Sequence, residues 1–304
     1  MMQGFDEGAL NLLASLRENF RMAIKKILLL HPGNMGATIG ACAVAGGAYV
    51  YWLSTQRSAA SRARADKAGL IEAKDLASIV QNSDVVLSVC PPDAAMDVAS
   101  RVTAEKFTGI YVDANAISRA TAEAVGKIVS AGGASFVDGG IIGSPVKQAG
   151  TTRLYLSGEK AQDIAELFHG SMLDARAIGA TPGEASALKV AYAAWTKGTD
   201  ALILAIRALA VHEGVEQALL QEWRISQPAL EKKCTQAAAS AAPKMWRYVG
   251  EMKEIAGAFE AAGLPGGFHD AAAEICQRLA CFKDQTEPPL AVGTVLEQLG
   301  RSKL

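Results

Sequence analysis

The chain of 304 residues reads as an α/β protein, a doubly wound parallel sheet followed by an all-α C-terminal domain. Three observations predict this class. Short apolar runs alternate with helical stretches from residue 26 to about 180, the rhythm of parallel strands joined by crossover helices. One of these runs feeds directly into a glycine-containing turn and a small-residue segment. After Gly183 the strand signal stops and only helical periodicity continues.

The first strand is Lys26–Leu30, KILLL, a buried run. His31-Pro32-Gly33-Asn34-Met35-Gly36 follows, then the small residues 37–47. Strand, turn and helix in this order make a dinucleotide site of Rossmann type. Gly33 lets backbone approach a pyrophosphate, Gly36 lets the helix pack on the strand, and the N–H groups opening the helix face the phosphates. His31 stands where the G-x-G-x-x-G pattern has its first glycine, so context carries the match; a structural turn is the alternative. The second strand is 48–53, AYVYWL. An NAD site places Asp or Glu about 20 residues past the turn, on the ribose hydroxyl. Here the strand ends in Ser54-Thr55-Gln56-Arg57-Ser58, with no acid. Hydroxyls such as that of Ser54, together with the guanidinium of Arg57, suit a 2′-phosphate. NADP is the expected cofactor and NAD the second choice; a solvated Arg57 opening the next helix is the structural alternative.

Further strands are read at 84–90, 109–113, 134–138, Arg153–Ser157 and 175–178, with helices at 94–104 and 118–131 among them. Ligands of such sheets lie at the carboxyl ends of the strands. Those ends are Cys90-Pro91-Pro92, Asp113-Ala114-Asn115 and Asp138-Gly139-Gly140. A long apolar helix spans 184–212, and further helices lie near 217–223, 228–241, 244–262, 268–283 and 291–300, punctuated by Pro243, Pro265 and Pro288-Pro289. The expected divisions are an N-terminal extension at 1–21, an NADP-binding Rossmann domain at 22–182 and an all-helical substrate and dimerisation domain at 183–304. The extension carries Phe5, Leu10, Leu13, Leu16 and Phe20 at loosely amphipathic spacing, lacks the basic start and long apolar core of a secretory signal, and is given no role in the chemistry. The Ala-rich faces of the helical domain exceed what it covers alone, so a homodimer is expected.

Composition narrows the function. A net charge of −1 gives no electrostatic footprint for nucleic acid or an acidic membrane surface. No stretch is long and apolar enough to span a bilayer. The five cysteines form no C-x-x-C and the four histidines are scattered, so no metal site is expected. Reduced thiols fit a cytoplasmic enzyme acting on a small molecule.

The order of turn, proline-containing strand end, Gly-rich loop and long lysine-bearing helix resembles the β-hydroxyacid dehydrogenases, which include 3-hydroxyisobutyrate dehydrogenase and 6-phosphogluconate dehydrogenase. Ala187-Leu188-Lys189-Val190-Ala191-Tyr192-Ala193-Ala194-Trp195-Thr196-Lys197-Gly198 and Gly263-Leu264-Pro265-Gly266-Gly267-Phe268-His269 resemble one branch, 6-phosphogluconate-dehydrogenase-like NAD(P)-binding proteins with a helical C-terminal domain of unknown function. The resemblance spans residues 24–285 and implies an NADP-linked oxidoreductase acting on CH–OH groups. It implies cofactor contacts at His31, Pro32, Gly33, Asn34, Met35 and Gly36 and at Cys90, Pro91 and Pro92; the neighbouring strand end adds Asn115. It implies a substrate loop at 138–144, where N–H groups near Gly143 and the Ser144 hydroxyl hold a carboxylate. A tight strand-to-strand connection needing glycines is the alternative there.

The resemblance makes Lys189 the catalytic lysine. Hydride leaves a carbinol carbon only as its hydroxyl proton departs, and an amine of lowered pKa accepts that proton. Burial at a domain boundary lowers a lysine pKa, and Leu188, Val190 and Ala191 make an apolar setting for Lys189. The family's asparagine one turn later is Ala193 here. Tyr192, Trp195 or Lys197 is expected to take its part, and the substrate need not be the usual 3-hydroxyacid. Arg247, Lys253 and His269 are candidates for substrate or cofactor contact; Lys253-Glu254 resembles a family Lys-Asp pair, with a surface ion pair as the alternative. The leading expectation is hydride transfer between the nicotinamide and a small hydroxyacid or its keto or semialdehyde form. An imine reductase on the same plan and a non-catalytic NADP-binding sensor are the rivals.

Overall fold

The computed structural model describes residues 26–301, so the N-terminal extension lies outside the described residues. Contacts divide the chain between Lys189 and Val190 into two compact units.

The first unit is built on an eight-stranded sheet: β1 (Lys26–Leu30), β2 (Tyr49–Leu53), β3 (Ile71–Ala73), β4 (Val85–Ser88), β5 (Ile110–Asp113), β6 (Ser135–Ile142), β7 (Arg153–Ser157) and β8 (Asp174–Gly179). Their order is β3-β2-β1-β4-β5-β6-β7-β8. Strand order reverses between β1 and β4, which creates the crevice where α/β sheets bind ligands. Between strands run α1 (Asn34–Ala45), α2 (Ala59–Lys67), α3 (Leu76–Gln81), α4 (Ala95–Ala104), α5 (Arg119–Ala131) and α6 (Ala161–Glu166). Helices cover both faces, so β1 is apolar at every central position. Ile27 and Leu29 join one core layer with Ile39 and Ala43 of α1, while Leu28 and Leu30 join the other with Val98 of α4 and Val125 of α5.

The sequence reading needs two corrections here. It ended a strand at Asp138 and opened a loop, but β6 continues to Ile142 and pairs antiparallel with β7. Burial drives the extension: Ile141 and Ile142 are apolar and almost wholly enclosed. It also passed over β3, a three-residue edge strand with two exposed positions, too short and too polar for periodicity to reveal.

After β8, helix α7 (Glu184–His212) begins in the first unit and continues into the second. The second unit adds α8 (Glu216–Ser226), α9 (Leu230–Gln236), α10 (Met245–Ala261), α11 (Gly267–Arg278) and α12 (Val292–Gly300). Leu204, Met245, Met252, Ile255, Cys276 and Val295 form its own core. No helix among the described residues is long and apolar enough to cross a membrane, and no group of His, Cys, Asp or Glu among them is placed to hold a metal ion.

Candidate functional site

The chain leaves β1 at Leu30 and turns over the start of α1. A Cβ on Gly36 would collide with the His31 carbonyl, so only glycine permits this crossing. A Cβ on Gly33 would meet nothing within 4 Å, so the outer side of the turn is open. Gly33 caps α1 without any side-chain bond, and the first turn of α1 carries no acid. The helix therefore offers backbone N–H groups and the positive end of its dipole to an anion. Arg64 fastens the turn from α2, donating from Nε to the Pro32 carbonyl at 3.2 Å. The residues present fit a dinucleotide pyrophosphate: an open glycine, an uncapped helix start and no competing carboxylate.

The adjoining end of β2 is basic. Arg57 Nη2 meets His31 Nε2 at 2.8 Å. A guanidinium only donates, so this ring nitrogen is the acceptor. Burial, reinforced by the charges of Arg57 and Arg101, pushes the His31 pKa down to about 4. His31 and Arg101 line one cleft with Leu30, Leu53, Leu76 and Val98. Ser54, by contrast, is 7% exposed and its hydroxyl is turned toward the Ala73 carbonyl at 3.4 Å.

On the other side of β1, the ends of β4 and β5 are tied together. Asn115 Nδ2 donates to Asp113 Oδ2 at 2.8 Å and to Ser88 Oγ at 3.2 Å, and its carbonyl accepts the Cys90 N–H at 2.5 Å. The Asn115 amide is thus spent inside the protein, positioning Cys90. Asp113 is fully enclosed, and burial raises its pKa to about 7 despite the two Asn115 bonds that oppose the shift. Burial likewise pushes the Cys90 thiol up to about 11, so it is protonated and unreactive at neutral pH. Pro91 and Pro92 then open a single 3-10 turn, with Pro91 exposed.

Helix α7 starts on β6. Asp138 Oδ2 accepts from Gly183 N at 3.0 Å, Ser186 N at 2.9 Å and Ser157 Oγ at 3.0 Å, and Oδ1 accepts from Ser186 Oγ at 2.5 Å. A buried carboxylate thus satisfies orphan donors at the helix start. Beyond it the helix lies against Gly140, where an added Cβ would stand 2.7 Å from the Ala185 carbonyl and 3.0 Å from Lys189 Cβ. Lys189 is therefore held at the carboxyl-end half of β6, half-buried, and burial lowers its pKa to about 8. Gly143 follows β6 with φ +124°, and a Cβ there would meet Thr152 Cα at 2.9 Å, as a tight connection to β7 requires. Ser144 is exposed, and its carbonyl accepts from Thr152 Oγ1 at 2.6 Å.

Residues 26–169 match the family model for the NAD binding domain of 6-phosphogluconate dehydrogenase. The first domain is similar to that family. Residues 210–279 match the domain of unknown function DUF1932. An uncharacterised 28.5 kDa protein of Methanothermus fervidus is 32% identical over 165 residues, 54% of this chain and 63% of the relative. The chain thus spans less than two thirds of that relative's length. A solved structure of a conserved protein of unknown function, described as structurally similar to 3-hydroxyacid dehydrogenases, is 25% identical, with TM-score 0.64 over 84% of this chain and 97% of its own. The 3-hydroxyisobutyrate dehydrogenase of Mycobacterium tuberculosis, solved with L-serine, shares the fold at 19% identity, with TM-score 0.65 over 91% of this chain and all of its own.

The helical unit carries the other residues singled out from sequence. Tyr192 is 46% and Trp195 68% exposed on α7. Lys197 is ion-paired to Glu251 and lies 4.4 Å from the Tyr248 ring centre. Lys253 is exposed on α10, and Arg247 stacks at 5.8 Å from the Trp246 ring centre. His269 is 4% exposed, with its ring packed on Phe259 and Phe268 at 4.6 and 5.1 Å between centroids. Sequence reasoning missed Arg101, Arg64 and the Asp138 anchor. The partners described here lie 19 to 70 positions away in the chain, and no short motif records such distances.

Proposed function

We propose that the protein is an NADP-dependent oxidoreductase that moves hydride between the nicotinamide and a small hydroxyacid or its keto or semialdehyde form, with Lys189 as the acid and base. The coarse class, an NAD(P)-dependent oxidoreductase, is supported by the family match of the NAD-binding domain. The observation that carries the finer reading is Lys189, half-buried on a helix that Asp138 pins to the sheet, with an amine whose pKa burial lowers to about 8.

The bound nicotinamide supplies or accepts the hydride. In the oxidative direction the neutral Lys189 amine takes the hydroxyl proton of the substrate as the carbon–hydrogen bond breaks. In the reductive direction the Lys189 ammonium returns that proton to the carbonyl oxygen. Gly33, Gly36 and the N–H groups opening α1 hold the pyrophosphate, and Arg57 takes the 2′-phosphate. Gly143 and Ser144 are proposed to hold a substrate carboxylate, while Tyr192 and Lys253 are the exposed candidates of the helical unit. His269 is read as packing, since Phe259 and Phe268 enclose its ring. The exposed apolar residues Leu202, Ile206 and Leu209 support a homodimer through the helical unit.

The test is NADPH oxidation, followed by absorbance, against small keto acids, semialdehydes and cyclic imines. Turnover on a carbonyl acid is expected. Turnover on imines alone would move the protein to the imine reductases, and binding of NADPH with no turnover on any substrate would make it a sensor.

A further inference from the structure

We infer that His31 and Arg101 complete a phosphate-selective site around Arg57: His31 positions the Arg57 guanidinium, and Arg101 adds a second one for a phosphomonoester on the adenosine ribose. This rests on the reading of the cofactor as NADP.

The parallel pairing of Leu29 with Trp52 brings the ends of β1 and β2 side by side, so His31 and Arg57 meet although 26 positions separate them. In a glycine-first fingerprint no side chain exists at position 31 to hold this arginine. Here Nε2 accepts from Arg57 at 2.8 Å and fixes the direction of the guanidinium. The imidazole is neutral at physiological pH, so it orients Arg57 without adding charge. Arg101 reaches the same cleft from α4 and acts on both His31 and Arg57 through its charge. Neither Arg57 nor Arg101 has an ion-pair partner among the described residues, whereas the nearby Arg62 is paired to Glu72 at 2.8 Å. Two guanidiniums near one another with no carboxylate between them repel, and a dianion removes that repulsion while gaining charge-assisted bonds. A ribose hydroxyl does neither. The pair therefore discriminates a 2′-phosphate from a 2′-hydroxyl, and the histidine in the fingerprint is a specificity device rather than a flaw in it.

The experiment is titration of NADPH, NADH, 2′,5′-ADP and 5′-AMP into the full chain and into Arg57→Ala, Arg101→Ala, His31→Gly and His31→Gln. NADPH and 2′,5′-ADP are expected to weaken about tenfold to a hundredfold in Arg57→Ala and about tenfold in Arg101→Ala, the range of charge-assisted bonds. His31→Gly is expected to weaken the same two ligands several-fold, and His31→Gln, which restores an acceptor, to recover part of that loss. NADH and 5′-AMP should change little throughout, which also reports that each variant is folded. Unchanged NADPH-to-NADH ratios in both Arg101→Ala and His31→Gly, with the preference lost in Arg57→Ala, would overturn this inference and leave the NADP reading standing. A wild-type protein that binds NADH as tightly as NADPH would instead overturn the NADP reading itself.

Discussion

Lys189 carries a charge that its surroundings resist. Burial lowers its pKa to about 8, so the amine and ammonium forms are both populated at physiological pH, as acid–base chemistry in two directions requires. Alcohol oxidation is expected to rise with pH through about 8, and carbonyl reduction to fall above it. Lys189→Met should lower turnover by about 10²–10⁴-fold and abolish that pH dependence while leaving NADPH affinity unchanged; near wild-type turnover would place the proton elsewhere. The same substitution has a stability signature. A lysine whose folded pKa is lowered costs stability below that pKa, and the cost is relieved as pH rises from about 8 toward the ordinary lysine range. Lys189→Met should therefore unfold at a higher temperature than wild type near pH 7, with the gap closing toward pH 10. Asp113 runs the other way. Its folded pKa, raised to about 7 by burial, lies above the unfolded value, so the folded state holds the proton longer. Stability should decline as pH climbs from the usual carboxylate range through about 7. Asp113→Asn should flatten that part of the stability–pH curve, measured by denaturant unfolding at fixed pH values; an unchanged slope would contradict the assignment.

Among the elements, the junction of β6 and α7 decides where Lys189 stands. Asp138 holds the start of the helix through three bonds and Ser157 of β7 through a fourth, and Gly140 lets the helix come down onto the strand. Gly140→Ala places a methyl group 2.7 Å from the Ala185 carbonyl, so the helix must shift. We expect a loss of about 1–3 kcal/mol of stability from overpacking. Turnover should fall by about 10²-fold, the typical cost of displacing a catalytic group by an ångström. Affinity for the dinucleotide should stay within error, because the turn proposed to bind it follows β1. Loss of cofactor binding equal to the loss of turnover would show that β6 supports both sites.

For the molecule as a whole, the prediction concerns assembly. Leu202, Ile206 and Leu209 recur at intervals of four and three along α7, the spacing of one helical face, and Leu209 is 61% exposed. Ile225 on α8 is 80% exposed. Apolar side chains in this number are stabilised by burial against a second copy. Sedimentation equilibrium is expected to return a dimer, and Leu209→Glu combined with Ile225→Glu to shift it toward monomer. A monomer of wild-type protein at micromolar concentration would remove the assembly from the proposal.

What the sequence by itself determined is whatever local pattern controls. Continuous apolar runs mark β1, β4 and β5 within a residue or two, because both sides of each strand are buried. The long period of α7 reads directly as Glu184–His212, and Gly36 reads as a close-packing position, where the His31 carbonyl leaves no room for a Cβ. The half-buried setting of Lys189 is legible from its apolar neighbours Leu188, Val190 and Ala191. Tertiary structure alone decided the rest. The reach of β6 to Ile142 depends on antiparallel pairing with β7. The meeting of Asp138 with Ser186, 48 positions on, and of His31 with Arg57, 26 positions on, follows from strand order. A side chain's polarity and helical period are written next to it in the chain; its hydrogen-bond partner is chosen by which strands lie side by side, and that is a property of the folded sheet.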